Sequence, residues 1–154
     1  FVCGVGRAIA AAMLRLLLAL LLLPLPAFAA SKAALERTTV EIFADRDPAT
    51  GGTLTVGVSL TPKSGWHTYW ETPGDAGLPP TPDWRLPTGG TATPFRFPVP
   101  DTFTVSGLMN HVYARENVLL STLTLPAPGP VIVDLKWLVC DDQLCVPEQA
   151  TLTL

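Results

Sequence analysis

Two cysteines, Cys140 and Cys145, stand near the C-terminal end of the sequence with Asp141-Asp142-Gln143-Leu144 between them. Thiols at that spacing can close a fixed disulfide, cycle between dithiol and disulfide, or hold a soft metal as thiolates. A fixed bridge over a loop of about six residues adds only about 2 kcal/mol by chain entropy, at the weak end for disulfides. A metal site would need His67 or His111 as well. Four intervening residues exceed the usual two-residue knuckle, however, and neither histidine is near in sequence. Taken singly, each histidine reads as a packed or surface side chain. Asp141, Asp142 and Glu148 flank the pair with no Arg or His beside it in sequence, and negative charge disfavours a thiolate. A dithiol so placed is expected to exchange slowly until a partner's surface activates it. A serine hydrolase finds no support, since the sequence has no Gly-x-Ser-x-Gly elbow.

The elements that position the pair read as strands. Val131, Val133, Leu135, Trp137 and Val139 share one face by period-two alternation, and Ile132, Asp134, Lys136, Leu138 and Cys140 share the other. Cys140 therefore falls on the more polar face at a strand end, where a thiol could be reached. A four-residue hairpin loop would set Cys140 opposite Cys145, with Cα atoms roughly 4.5–5.5 Å apart, a separation a disulfide accepts. Thr53 to Leu60 alternates in the same way, with Leu54, Val56, Val58 and Leu60 on one face, and Thr38 to Ala44 and Asn117 to Leu125 are further strand candidates. Half of the 16 prolines fall between Thr72 and Pro100, too many for central strands. That stretch is expected to run as edge segments and turns, packed down by Trp84, Phe95 and Phe97. With no amphipathic helical stripe in the body of the chain, the pattern predicts an all-β sandwich.

The 154 residues divide unevenly. Residues 1–30 carry Arg7 and Arg15 and no acid, whereas all 13 acidic residues come later. Leu14-Arg15-Leu16, the apolar run to Leu23, Pro24, Pro26 and Ala27-Phe28-Ala29-Ala30 follow the grammar of a secretory signal peptide cut after Ala29. The run is short of the ~20 residues a membrane-spanning helix needs. Met13 is the expected true start, which leaves Phe1 to Ala12, including Cys3, as upstream read-through. Without Arg7 and Arg15 the basic count falls from 10 to 8 against 13 acids, a net charge of −5 on residues 30–154. No basic face is then available for nucleic acid. Trp66, Trp70, Trp84 and Trp137 supply apolar area that a disordered chain lacks. The sequence stops on the alternation Thr151-Leu152-Thr153-Leu154, as expected of a domain, residues 30–154, cut from a longer protein.

Four motifs carry a resemblance. Gly65-Trp66-His67-Thr68-Tyr69-Trp70, Pro73-Gly74-Asp75-Ala76-Gly77-Leu78-Pro79-Pro80, Asp83-Trp84-Arg85-Leu86-Pro87, and Trp137-Leu138-Val139-Cys140 through Cys145-Val146-Pro147-Glu148 occur in that order. Together they resemble the N-terminal periplasmic domain of the DsbD and ScsB family of membrane thiol:disulfide reductases, over roughly Leu35 to Leu154. The resemblance implies an immunoglobulin-like β-sandwich whose cysteine pair relays electrons from a transmembrane reductase domain of the same full-length chain to periplasmic thioredoxin-like partners. It implies that Cys145 forms the mixed disulfide with the partner and that Cys140 resolves it. It also implies a cap loop that shields the pair with an aromatic side chain. The matching region is Gly107-Leu108-Met109-Asn110-His111-Val112-Tyr113, with Tyr113 as that aromatic and Leu108 or His111 as substitutes. Trp66, Trp70 and Trp84 are read as framework. No cofactor and no bound metal are expected, and the full-length protein would be periplasmic and anchored in the inner membrane. A reading from another class is a non-catalytic periplasmic binding module, copper-related, whose cysteines form a structural disulfide or a Cu(I) thiolate site.

Overall fold

The computed structural model describes residues 30–154, so the signal peptide expected over residues 1–29, Met13 and Cys3 included, lies outside the described residues. Eleven strands follow one another: β1 (Lys32–Ala34), β2 (Thr38–Ala44), β3 (Gly52–Pro62), β4 (Thr68–Gly74), β5 (Thr81–Arg85), β6 (Thr91–Ala92), β7 (Asp101–Val105), β8 (Leu108–Tyr113), β9 (Asn117–Leu125), β10 (Ile132–Cys140) and β11 (Cys145–Thr153). The only helical piece among them is a 3₁₀ turn at Pro48–Thr50, capped by the Asp47 side chain. None of the described helices is long and apolar enough to cross a membrane.

Alternation in the sequence becomes the two inner faces of a sandwich. One sheet has the order β1-β2-β3-β9-β6 and the other β11-β10-β5, with every pairing antiparallel. Val40 and Ile42, Leu54 to Leu60 on the even positions, and Leu119, Leu123 and Leu125 face inward from the first sheet. Val131, Val133, Leu135, Trp137, Val139 and Leu152 meet them from the second, all buried. Closing these faces takes those side chains out of water, at about 25 cal/mol for each Å² of apolar area. The indole N–H of Trp137 donates to Thr38 Oγ1 at 3.2 Å, a buried polar tie from β10 to β2 across the core.

Proline density decides what becomes of the middle of the chain. β5 carries Pro82 and is the edge of its sheet, as a residue lacking an N–H requires, and the two-residue β6, followed by Thr93-Pro94, is the edge of the other. Between and beyond them Phe95 is buried and takes the Trp84 and Phe97 rings edge-on at 6.1 and 6.3 Å. Phe95 thus ties the Pro-rich stretch into the core, with Trp84, Leu86, Ala92 and Phe97 packed against it.

A third sheet, β4-β8-β7, covers one end of the sandwich. β7 and β8 form a hairpin whose turn, Ser106-Gly107, has φ of 52° and 81°. Two successive left-handed residues give the turn whose twist matches that of the strands it joins. The region read from the sequence as a cap loop, Gly107 to Tyr113, is therefore the second arm of a hairpin. Its tip exposes Leu108 and Met109.

Candidate active site

β10 and β11 pair over nine positions, from Ile132↔Thr153 to Cys140↔Cys145, so the cysteines occupy the last rung before the loop. The Asp141 side chain shapes that loop. Its Oδ1 accepts from the Gln143 N–H at 2.8 Å and the Leu144 N–H at 2.7 Å, while the Asp141 N–H donates to the Leu144 carbonyl at 2.9 Å. These two donors, Gln143 first, hold the Asp141 carboxyl below its ordinary range, with help from the Arg37 charge.

Cys140 and Cys145 are joined as a disulfide, with Cα atoms 4.1 Å apart. The spacing is closer than the sequence suggested, and the backbone explains it. The Cys140 N–H donates to the His67 carbonyl at 3.0 Å, and the His67 N–H donates to the Cys140 carbonyl at 2.8 Å. With both its backbone groups turned toward His67, Cys140 makes a non-hydrogen-bonded pair with Cys145, the narrower kind of antiparallel rung.

The two cysteines differ in access. Cys145 is exposed, whereas Cys140 is only 1% exposed. This corrects the expectation that Cys140 could be reached from the polar face of its strand. That face is covered at this end by the third sheet, whose Tyr69, Val112 and Phe103 pack with Leu138 against Cys140.

Three side chains of the third sheet and its approach crowd the pair. His67, buried, lies with its ring centroid 5.1 Å from that of Phe103 and 5.3 Å from that of Tyr69, its Nε2 3.3 Å from the Tyr69 hydroxyl. The same hydroxyl is 4.0 Å from Cys145 Sγ. Tyr69 is pinned by Gly77, whose φ of +94° and missing side chain let the Pro73–Pro80 loop close on the ring. A Cβ there would collide with it. Burial pushes the His67 imidazole below its ordinary pKa against the opposing pull of Asp142 and Asp141. Burial also raises the Tyr69 phenol.

The expected cap residues lie elsewhere on the same sheet. Tyr113 is buried opposite Thr68, and its hydroxyl donates to the Pro98 carbonyl at 2.6 Å, with a pKa raised by burial. His111 has its Nδ1 3.0 Å from the Thr72 carbonyl and meets the Trp70 ring edge-on at 5.4 Å. Leu108 is at the hairpin tip. The aromatic that the β7–β8 hairpin sets against the cysteine cluster is Phe103, absent from the sequence reading. Its signal was the alternation Thr102-Phe103-Thr104-Val105 just before a Ser-Gly turn.

The charges around the pair also differ from their order in sequence. Glu148 lies on the core face opposite Trp137, and its Oε1 accepts the Arg37 N–H at 2.9 Å. The Arg37 guanidinium stacks over the Trp66 ring, 4.7 Å from its centroid. The imidazole missing beside the cysteines in sequence is thus supplied by His67 from β4's approach, and Arg37 of the β1–β2 connection adds its charge toward Asp141. Among the described residues, no group of three or more His, Cys, Asp and Glu is gathered as metal ligands would be.

No match was found among curated proteins. Among solved structures the chain is similar to the N-terminal periplasmic domain of ScsB from Proteus mirabilis, with a TM-score of 0.66 and 22% identity over 80% of this chain and 49% of that one. It thus spans about half the length of that domain. It is also similar to the DsbD N-terminal domain of Neisseria meningitidis in the reduced form, with a TM-score of 0.52 and 15% identity over 75% of this chain and 82% of that one. The immunoglobulin-like sandwich expected from the motifs is therefore the fold observed. The family model described as "Thiol:disulfide interchange protein DsbD, N-terminal" matches residues 38–154. With a cysteine pair bonded at the mouth of its last hairpin, the chain belongs to this family of thiol–disulfide exchange domains.

Proposed function

We propose that the chain is an exported, periplasmic module that relays electrons by thiol–disulfide exchange. It takes them from a membrane reductase domain of the same full-length protein, anchored in the inner membrane, and passes them to thioredoxin-like partners. The observation that carries this reading is the unequal burial of the two cysteines, with Cys145 exposed and Cys140 enclosed. In the reduced module the Cys145 thiolate attacks a partner disulfide, forming a Cys145–partner bond and expelling one partner thiolate. The Cys140 thiolate then attacks Cys145 Sγ, re-forming the internal disulfide and releasing the second partner thiolate. Two electrons pass to the partner, and a dithiol of the reductase domain restores the pair by the reverse steps. A buried resolving sulfur favours this order, because it meets Cys145 at once but no outside disulfide.

The reduction potential tests the reading. A relay must sit within reach of its donors and acceptors, so the pair should equilibrate with a glutathione buffer. A potential below about −300 mV would mark a fixed bridge, as a non-catalytic binding module would carry, and would overturn the reading.

A further inference from the structure

The relay chemistry needs a thiolate at Cys145, in a setting where Asp141 and Asp142 oppose negative charge. Resting on the exchange reading above, we propose that Tyr69 and His67 form a proton relay to Cys145, in which the Tyr69 hydroxyl passes the thiol proton to His67 Nε2. The three groups already stand in succession, with 4.0 Å from Cys145 Sγ to the Tyr69 hydroxyl and 3.3 Å from there to His67 Nε2. Tyr69 touches the reacting sulfur, and His67 acts through it as a positioning residue.

The proton balance is simple. In the dithiol state the Cys145 S–H donates to the Tyr69 oxygen, and the Tyr69 O–H donates to Nε2 of an imidazole whose own proton is on Nδ1. As the S–H bond breaks, the thiol proton moves to the tyrosine oxygen and the tyrosine proton moves to Nε2. The result is a thiolate accepting from a neutral phenol that in turn accepts from an imidazolium. Nothing is oxidised in this step, and no other reactant enters.

The surroundings suit both ends. His67 is faced by Tyr69 from β4, by Phe103 from β7, by the Cys140 backbone from β10, and by the charges of Asp142 and Asp141 from the hairpin loop. Burial keeps the imidazole neutral and ready to accept, and the two carboxylates stabilise the imidazolium once it forms. The loop acids that oppose the thiolate thus favour its counter-ion. Since Cys140 is bonded to the His67 backbone, the relay is held in register with the pair it serves.

The test uses the chain with Cys3→Ala and Cys140→Ala, so that Cys145 is the sole thiol, and follows its alkylation by iodoacetamide from pH 5 to pH 9.5. An interacting thiol and imidazole titrate in two coupled steps, and the lower step should leave Cys145 reactive near pH 6. Tyr69→Phe, which keeps the ring on Gly77, and His67→Gln should each reduce the profile to a single step in the free-thiol range. Each should react about tenfold more slowly at pH 6, converge with the parent near pH 9.5, and add nothing to the other when combined. A parent profile with one step, or variants that overlay it, would overturn the relay. The same proteins are then mixed with a disulfide-bonded thioredoxin-like protein. A trapped Cys145 adduct alongside unchanged profiles would sink the relay and leave the exchange reading standing, whereas a two-step profile with no adduct in any protein would sink the exchange reading.

Discussion

Reducing the Cys140–Cys145 bond should cost little stability, and the amount follows from its place in the fold. The bond closes a loop of six residues counting both cysteines, so its removal returns about 7 cal/mol/K to the unfolded chain, or about 2 kcal/mol at 25 °C. The native state has little to lose besides the bond. β10 and β11 stay paired over the other eight rungs, and the Asp141 side chain holds the loop without the sulfurs. Cys140 stays enclosed by Tyr69, Val112, Phe103 and Leu138 whether or not it is bonded. Urea unfolding of the oxidised and fully reduced chain measures the difference directly. With a slope of about 2 kcal/mol per molar, the midpoint should fall by about 1 M while the slope is unchanged. By the same thermodynamic cycle, folding contributes only about 40 mV to the potential of the pair, which keeps it exchangeable. A loss of about 5 kcal/mol or more, or unfolding on reduction, would refute this reasoning and make the bond a structural staple.

Two further outcomes follow from the same geometry. Phe103→Ala removes the hairpin's aromatic from His67 and the Cys140 cluster. It should speed reduction of the disulfide by dithiothreitol severalfold and lower stability by about 1–3 kcal/mol, and an unchanged reduction rate would show that Phe103 does not shield the pair. Stability of the oxidised chain should hold from pH 8 to about 7 and fall below about pH 6.5. There an unfolded histidine takes up a proton that buried His67, with its lowered pKa, still refuses. Asp141, whose folded pKa is depressed, adds a second loss as the pH falls below the ordinary aspartate range. Urea midpoints measured against pH should show the upper loss vanish in His67→Gln, and its persistence would remove His67 as the cause.

What could be read in the sequence was whatever period-two alternation controls. β2 and β9 run over Thr38–Ala44 and Asn117–Leu125 as predicted, and Val131, Val133, Leu135, Trp137 and Val139, read as one face, are all buried. Pro82 correctly demoted β5 to an edge. Alternation describes the two faces of a strand but not what covers the outer one. Cys140 was therefore placed in the open, because the sheet that buries it comes from β4, β7 and β8, far away in sequence. The same limit hid the chemistry around the pair. His67 and Tyr69 stood in the Gly65–Trp70 motif as marks of resemblance, and only the backbone pairing of His67 with Cys140 brings them to the sulfurs. Phe103 is set there by the Ser106-Gly107 turn, which folds β7 back on β8.

The central claim, that Cys145 is the sulfur that meets the partner and Cys140 the one that resolves, is tested most directly by trapping. Chains carrying Cys140→Ala or Cys145→Ala, each with Cys3→Ala, are mixed with an oxidised periplasmic thioredoxin-like protein and separated on a non-reducing gel. The account predicts a stable mixed disulfide through Cys145 in the Cys140→Ala chain and almost none in the Cys145→Ala chain, whose remaining sulfur is buried. Equal trapping by both, or trapping through Cys140 alone, would contradict it.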